Sequence, residues 1–177
     1  DLIPRISKVW QSQRQDLENA GGQVMEALQG AARTPPGESD LDEAVLDEAY
    51  ETLFRVFDGE NGGFGDAPKF PTPHNLIFLL RYGNRTGKEP AYTMVEKTLH
   101  AMRRGGIFDQ VGYGFHRYST DAEWFVPHFE KMLYDQALLV MAYTEAYLAT
   151  GREEFARTAR ETIAYVLRDM TDPAGGF

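Results

Sequence analysis

The sequence predicts an all-α fold, an array of helical hairpins joined by glycine-rich turns. Three observations carry that reading. Apolar residues recur at helical spacing along most of the chain, punctuated by Gly and Pro. No long alternating run marks a strand, and only Tyr113–Ser119 alternates enough for a short extended piece. Gly-Gly followed by an apolar residue returns at Gly62-Gly63-Phe64, Gly105-Gly106-Ile107 and Gly175-Gly176-Phe177, a spacing typical of stacked helix pairs.

The elements follow in order. Residues 1–30 carry Ile3, Ile6, Val9, Trp10, Leu17, Val24, Met25 and Leu28 at helical spacing, with Gly21-Gly22 as a weak point. Residues 31–40, rich in Pro and small polar residues, read as a linker. Ser39 or Asp40 then caps a helix built on Leu41, Val45, Leu46, Ala49, Leu53, Phe54 and Phe57, with Asp42 and Glu43 suiting its dipole. Asp58-Gly59 stops it, and residues 59–73 hold too much Gly and Pro for regular structure. A buried helix is predicted from His74 to about Thr86, and another from Pro90 to about Arg104. Pro127 opens the strongest helix, from His128 to Thr150, which Gly151 ends. A last helix spans Glu153–Met170, and Phe177, inside a third Gly-Gly copy, reads as a crop.

Bulk properties narrow the function. Of 177 residues, 42% are hydrophobic and 25% charged, as in an ordinary globular domain. Net charge is -9, which argues against nucleic-acid and anionic-membrane partners. With no cysteine, disulfides and thiolate metal sites are excluded. No signal peptide is visible and no apolar run approaches a transmembrane span, so a cytoplasmic location is the expectation.

Residues 109–135 are the densest in chemistry. Asp109, His116, Arg117, Asp121, His128, Glu130, Lys131 and Asp135 are interleaved there with Tyr113, Tyr118 and Trp124. Such a mixture suits a polar, aromatic-walled pocket for a small molecule. A helix from His128 would put His128, Lys131 and Asp135 on one face, either as an acid–base group or as a structural Lys131–Asp135 pair. His116 can move a proton near neutral pH, while Arg117 either orients a ligand or pins the loop to Asp109 or Asp121. Trp124, Tyr113 and Tyr118 offer a stacking platform for a sugar ring, or serve as core. In the earlier loop, turns hold Asp66 and Lys69, and Pro73-His74 echoes Pro127-His128 at a helix start. His100 reads as structural or surface. No cofactor is called for: no phosphate loop, nucleophile elbow or metal-ligand spacing is present.

Residues 62–76 (GGFGDAPKFPTPHNL), 105–139 (GGIFDQVGYGFHRYSTDAEWFVPHFEKMLYDQALL) and the terminal GGF together resemble the YyaL-type, spermatogenesis-associated family. The resemblance implies a thioredoxin-like domain followed by an (α/α)6 toroid similar to six-hairpin glycosidases and N-acylglucosamine 2-epimerases. Residues 1–30 would then be the helix leading from that domain, and 41–177 the first part of the toroid. It further implies carbohydrate-active or carbohydrate-binding function, with a small sugar as ligand and epimerase- or isomerase-like acid–base chemistry. His116, His128, Asp109 and Asp121 would be the catalytic candidates. Arg117, Tyr118, Trp124, Lys131, Asp135, Asp66, Lys69 and His74 would bind substrate. The alternative is a non-enzymatic binding or scaffold module partnered with the thioredoxin-like domain and the remaining toroid.

Overall fold

The computed structural model describes residues 2–32 and 42–177. Most of the expected linker, and the cap at Ser39 or Asp40, lie outside those residues. The chain divides into two units, Asp1–Leu41 and Asp42–Phe177. In the first, α1 (Leu2–Ser12) and α2 (Arg14–Ala32) break at Gln13, whereas Gly21-Gly22 lies within α2. Neither helix buries a residue. Among the described residues no helix is long and apolar enough to cross a membrane.

The second unit contains α3 (Ala44–Val56), α4 (Pro73–Thr86), α5 (Glu89–Arg104), α6 (Leu133–Thr150) and α7 (Glu153–Asp169). Two tight turns, at Gly87 and Gly151, join α4 to α5 and α6 to α7. Both glycines are left-handed, and their N–H groups donate to the Gly83 and Tyr147 carbonyls, closing the helix ends. Ion pairs fix the packing direction. Glu96–Arg152, His100–Glu154 and Arg103–Glu161 advance together along α5 and α7, so these helices run parallel. Each hairpin being antiparallel, the tight turns gather at one end and the long loops, residues 57–72 and 105–132, at the other. Leu76 and Leu79 of α4, Val95 and Leu99 of α5, Leu139 and Tyr143 of α6 and Phe155 of α7 pack between them, each at most 1% exposed. Each such aliphatic or aromatic residue contributes about 1.5–3 kcal/mol relative to exposure.

The internal repeat is present in a different register from the predicted one. Its second copy is Ile107–His116 rather than Gly105–Ile107. Phe57 pairs with Phe64, and Phe108 with Phe115. Asp58 N–H donates to Gly63 O at 2.9 Å, and Asp109 N–H to Gly114 O at 3.0 Å. Gly65 N–H donates to Val56 O, and His116 N–H to Ile107 O. The left-handed pair Gly62-Gly63 (φ 72° and 83°) becomes Tyr113-Gly114 (66° and 76°). A partial third copy bonds Asp172 N–H to Gly176 O at 2.7 Å.

Each of the first two loops carries the same clamp. Lys69 Nζ donates to Asp58 Oδ2 (2.6 Å) and Gly62 O (3.0 Å); Lys131 Nζ donates to Asp109 Oδ2 (2.8 Å) and Tyr113 O (2.7 Å). Lys69 lies 5.4 Å from the Trp124 ring centre, and Lys131 lies 4.3 Å from that of Tyr165. Gly63 and Gly114 are required where those rings cross: a Cβ at either would sit 2.5 Å from the Trp124 or Tyr165 ring.

One helix boundary needs correcting. The predicted helix from His128 starts at Leu133, because residues 126–130 pair with 117–120 instead: Arg117 N–H donates to Glu130 O and His128 N–H to Tyr118 O. His128, Lys131 and Asp135 therefore share no helix face, Lys131 pairs with Asp109 rather than Asp135, and Pro73-His74 alone begins a helix.

Neutralising Asp58 leaves the fully buried Lys69 charge unpaired. Asp58→Asn is expected to cost about 3–5 kcal/mol in urea unfolding. Asp109→Asn should cost less, because Lys131 keeps 13% side-chain exposure. An equal or reversed order would refute the dominance of the Lys69 clamp.

Candidate functional site

The rim formed by the two long loops is assembled around Ser119. Its N–H donates to Lys69 O and its carbonyl accepts Lys69 N–H, at 2.9 and 2.8 Å, so the loops are joined backbone to backbone. Asp121 holds the turn that follows: its carboxylate accepts Glu123, Phe125 and Val126 N–H and the Ser119 hydroxyl. Burial works to raise the Asp121 pKa, but those donors outweigh it and the carboxyl lies below its usual value.

Several predicted site residues are committed to this framework. Lys69 spends all three protons on Asp58, Gly62 O and Ala122 O. Trp124 is fully buried, its indole N–H donates to Asn61 O at 3.1 Å, and it presents no face to a ligand. Burial works to raise Asp109 as well, but Lys131 and the Gly112 and Val111 N–H groups hold it down to about 2. Asp66 and His74 are exposed; His74 lines a cavity of about 390 Å³ beside Ile77, Phe78 and Arg85. His100 is a packing and ion-pair residue, its ring 4.9 Å from Phe155.

What remains converges at the start of α6. Gln136, fully buried, accepts Phe115 N–H through Oε1 and donates to Phe115 O through Nε2, both at 2.7 Å. That staple joins the backbone of residue 115 to the first turn of α6, where Arg117 acts on Asp135, whereas the charges acting on His116 are those of Lys131 and Asp109. Among the described residues, His116 Nδ1, Arg117 Nε and Asp135 Oδ2 are buried polar atoms without a hydrogen-bond partner. Arg117 Nη1 donates to Glu130 Oε2 at 3.0 Å, so the loop is pinned to Glu130 rather than to Asp109 or Asp121. Tyr118 stacks on His128 and meets Phe70 at a tilt of 31°, each ring centre 4.8 Å away. The His128 side chain is 48% exposed and leaves an open aromatic face.

The electrostatics of the group are unusual. Burial pushes Asp135 up to about 6; Arg117 opposes the shift without reversing it. The N-terminal turn of α6 also favours the anion, by about 0.3–1 kcal/mol, and is outweighed too. Burial, with help from the Lys131 charge, lowers His116 below its ordinary value against the pull of Asp109. Burial thus disfavours the charged form of both groups, raising the carboxyl and lowering the imidazole, and each is a group able to exchange a proton with a bound molecule.

Sequence reasoning missed Gln136 and Asp58, and it named Glu130 without giving it a role. The spacing Asp58…Gly63-Phe64 against Asp109…Gly114-Phe115 was the available signal for Asp58. Gln136 and Glu130 act only through tertiary pairing and leave no such pattern.

Asp135 yields a test. Its folded pKa exceeds the unfolded value of 3.8, so the fold retains a proton that the unfolded chain has lost between about 4 and 6. Stability should fall as pH rises through that window. Asp135→Asn should then be more stable than the parent at pH 7, by on the order of 2 kcal/mol, and no more stable at pH 3. Urea unfolding at both pH values checks this. A less stable variant at pH 7 would show that Asp135 holds the fold as a paired anion.

No family model matches the chain. Across 183 aligned positions, gaps included, that cover 99% of the chain, it is 41% identical to spermatogenesis-associated protein 20 of Homo sapiens and 39% identical to that of Rattus norvegicus. An uncharacterised Caenorhabditis elegans protein is 36% identical over 173 residues. The chain spans 23% of the length of each of these relatives. Its structure is similar to cellobiose 2-epimerase from Spirochaeta thermophila, with a TM-score of 0.61 and 20% identity over 76% of this chain and 38% of that one. A ruminal-bacterium sugar epimerase gives 0.61, with 17% identity over 75% of this chain and 39% of that one. At this identity the likeness shows the fold, which is that of the helical toroids of sugar epimerases.

Proposed function

Because the chain is a homologue of the spermatogenesis-associated family with a sugar-epimerase fold, we propose that it forms part of a carbohydrate-active toroid performing acid–base chemistry on a reducing sugar. The observation that carries the reading is the trio of unpartnered buried atoms on His116, Arg117 and Asp135. Leaving such groups unsatisfied costs about 1–3 kcal/mol each, and all three belong to one loop and the helix start that the Gln136 staple joins to it, so we read them as groups that a ligand completes. In this reading His116 and Asp135 form the proton-transfer pair. One takes the proton from the carbon beside the sugar carbonyl, and the other returns a proton to the opposite face. Arg117 Nε–H donates to the oxygen on which negative charge develops. The Phe70–Tyr118–His128 stack receives the apolar face of the sugar ring.

Glycoside hydrolysis fits less well. It requires two carboxyl groups facing each other across the bond, one of them protonated. Asp109 and Asp121 have their oxygens filled by lysine and backbone donors and lie below the usual carboxylate range. The remaining hairpins and a thioredoxin-like domain would accompany this part in the intact protein. A binding-module role is the second reading, favoured by exposed Val111, Phe125 and Phe129 on the same rim.

The test is exchange of solvent deuterium into the sugar. Intact protein in D2O with glucose, mannose or cellobiose should label the carbon beside the carbonyl, followed by NMR. His116→Gln and Asp135→Asn should each slow labelling by about 10²–10⁴-fold. Absence of labelling with all three sugars, or labelling that survives both substitutions, would give the binding-module reading precedence.

A further inference from the structure

The cleft between α5 and α7 holds a second group of residues that the rim chemistry does not use. It encloses about 430 Å³, within the range of small-molecule sites. Leu99, Tyr143 and Phe155 line its apolar part, and Arg103, Arg104 and Arg157 bring three guanidinium groups to it. None of these belongs to the His116–Asp135 group.

The charges there do not cancel. Glu154, the carboxylate in the lining, is shared between His100 at 3.3 Å and Arg152 at 3.8 Å. Arg103 pairs with Glu161 at 2.9 Å and lies over the Phe108 ring at 4.1 Å, yet its Nε is buried without a partner. Among the described residues, Arg104 and Arg157 make no ion pair or hydrogen bond. The chain carries 27 acidic against 18 basic side chains, so carboxylates are in surplus. Two arginines left unpaired at one cavity of so acidic a molecule are not explained by framework pairing. An apolar floor lowers the local dielectric and strengthens attraction for an anion. Guanidinium forks match the geometry of phosphate and carboxylate oxygens.

We propose that the α5–α7 cleft binds a small organic molecule bearing a phosphate or carboxylate group, held by Arg104 and Arg157 with Arg103 Nε at the inner edge. A lone inorganic ion would leave most of the volume empty, so the ligand carries a body that fills the cleft above the buried Leu99 and Phe155. This site stands apart from the sugar chemistry proposed for the rim and does not depend on it.

Calorimetric titration of the intact protein at constant ionic strength tests the proposal, with phenyl phosphate, benzoate and uncharged benzyl alcohol as probes, none of which is a sugar. At least one of the two anions should bind saturably. Arg104→Gln/Arg157→Gln should weaken that binding at least tenfold, whereas His116→Gln should leave it unchanged. Both arginine side chains lack partners, so the double variant should keep the parent's unfolding midpoint; the single variants, each weakening binding several-fold, serve if it does not. Stronger binding of phenyl phosphate identifies a phosphate ligand, and stronger binding of benzoate a carboxylate one. No saturable binding of either anion, equal binding of benzyl alcohol, or full affinity in the arginine variants would overturn the assignment.

Discussion

The fold of the second unit depends on a buried ammonium. Lys69 is fully buried, and a lone charge in that position would cost several kcal/mol. It is tolerated because Asp58 neutralises it while Gly62 O and Ala122 O complete its donors. Those three partners come from both sides of the rim: two lie in the loop after α3, and the third lies beyond α5. One side chain therefore ties the two long loops together, and the Ser119–Lys69 backbone pair adds a second tie at the same residue. The Trp124 indole, donating to Asn61 O, closes the cage from the far side. Helix packing alone would leave these Gly- and Pro-rich loops free, since they bury few aliphatic side chains of their own.

The duplication of this clamp separates framework from chemistry. Asp58, Gly62, Gly63 and Lys69 have counterparts in Asp109, Tyr113, Gly114 and Lys131, down to the aromatic ring each lysine approaches. What two copies share is what closing a hairpin demands. The copies part just after the clamp, where Gly65-Asp66 in the first becomes His116-Arg117 in the second. Gly65 and His116 make the same backbone bond, so the side chain at that position is free to differ without altering the loop. The second copy fills it with an imidazole followed by a guanidinium, and the start of α6 supplies a carboxyl. The first copy has no such group, so the two loops differ in the residues on which the proposed reading rests.

Much of this organisation was readable from the residues, and the failures have a common cause. The helices α4, α5 and α7 appeared within a residue or so of their predicted bounds, because Gly87, Gly151 and the Pro residues mark chain ends through local conformation alone. The start of α6 was misread. Pro127 and the apolar run after it satisfy every local rule for a helix, but residues 126–130 find partners across the loop in 117–120, and that pairing wins. The same limit governed the site. His116, Arg117 and Asp135 were visible as residue types, whereas the division into clamp and unpartnered groups was not. Asp109 and Lys131 look as functional in sequence as Arg117 and Asp135 do. Only the geometry shows that the first two satisfy each other and the second two retain buried atoms with nothing to bond.

That asymmetry bears on how the rim can hold a strained group at all. An unpaired buried carboxyl and two unpaired nitrogen atoms work against folding, and marginally stable domains rarely carry such a load without reason. Two features offset it here. The Gln136 staple fixes the Phe115 backbone without touching the reactive atoms, so His116 and Asp135 are positioned by neighbours and not by each other. The paired clamps then supply ionic and backbone bonds; the second, Lys131–Asp109, acts on His116 through its charges without bonding its Nδ1. A site arranged in this order is preorganised: the positioning cost is met during folding, and a ligand entering it gains bonds without demanding rearrangement. The rim therefore draws its stability from residues other than the three that keep unpartnered atoms, as the proposed site requires.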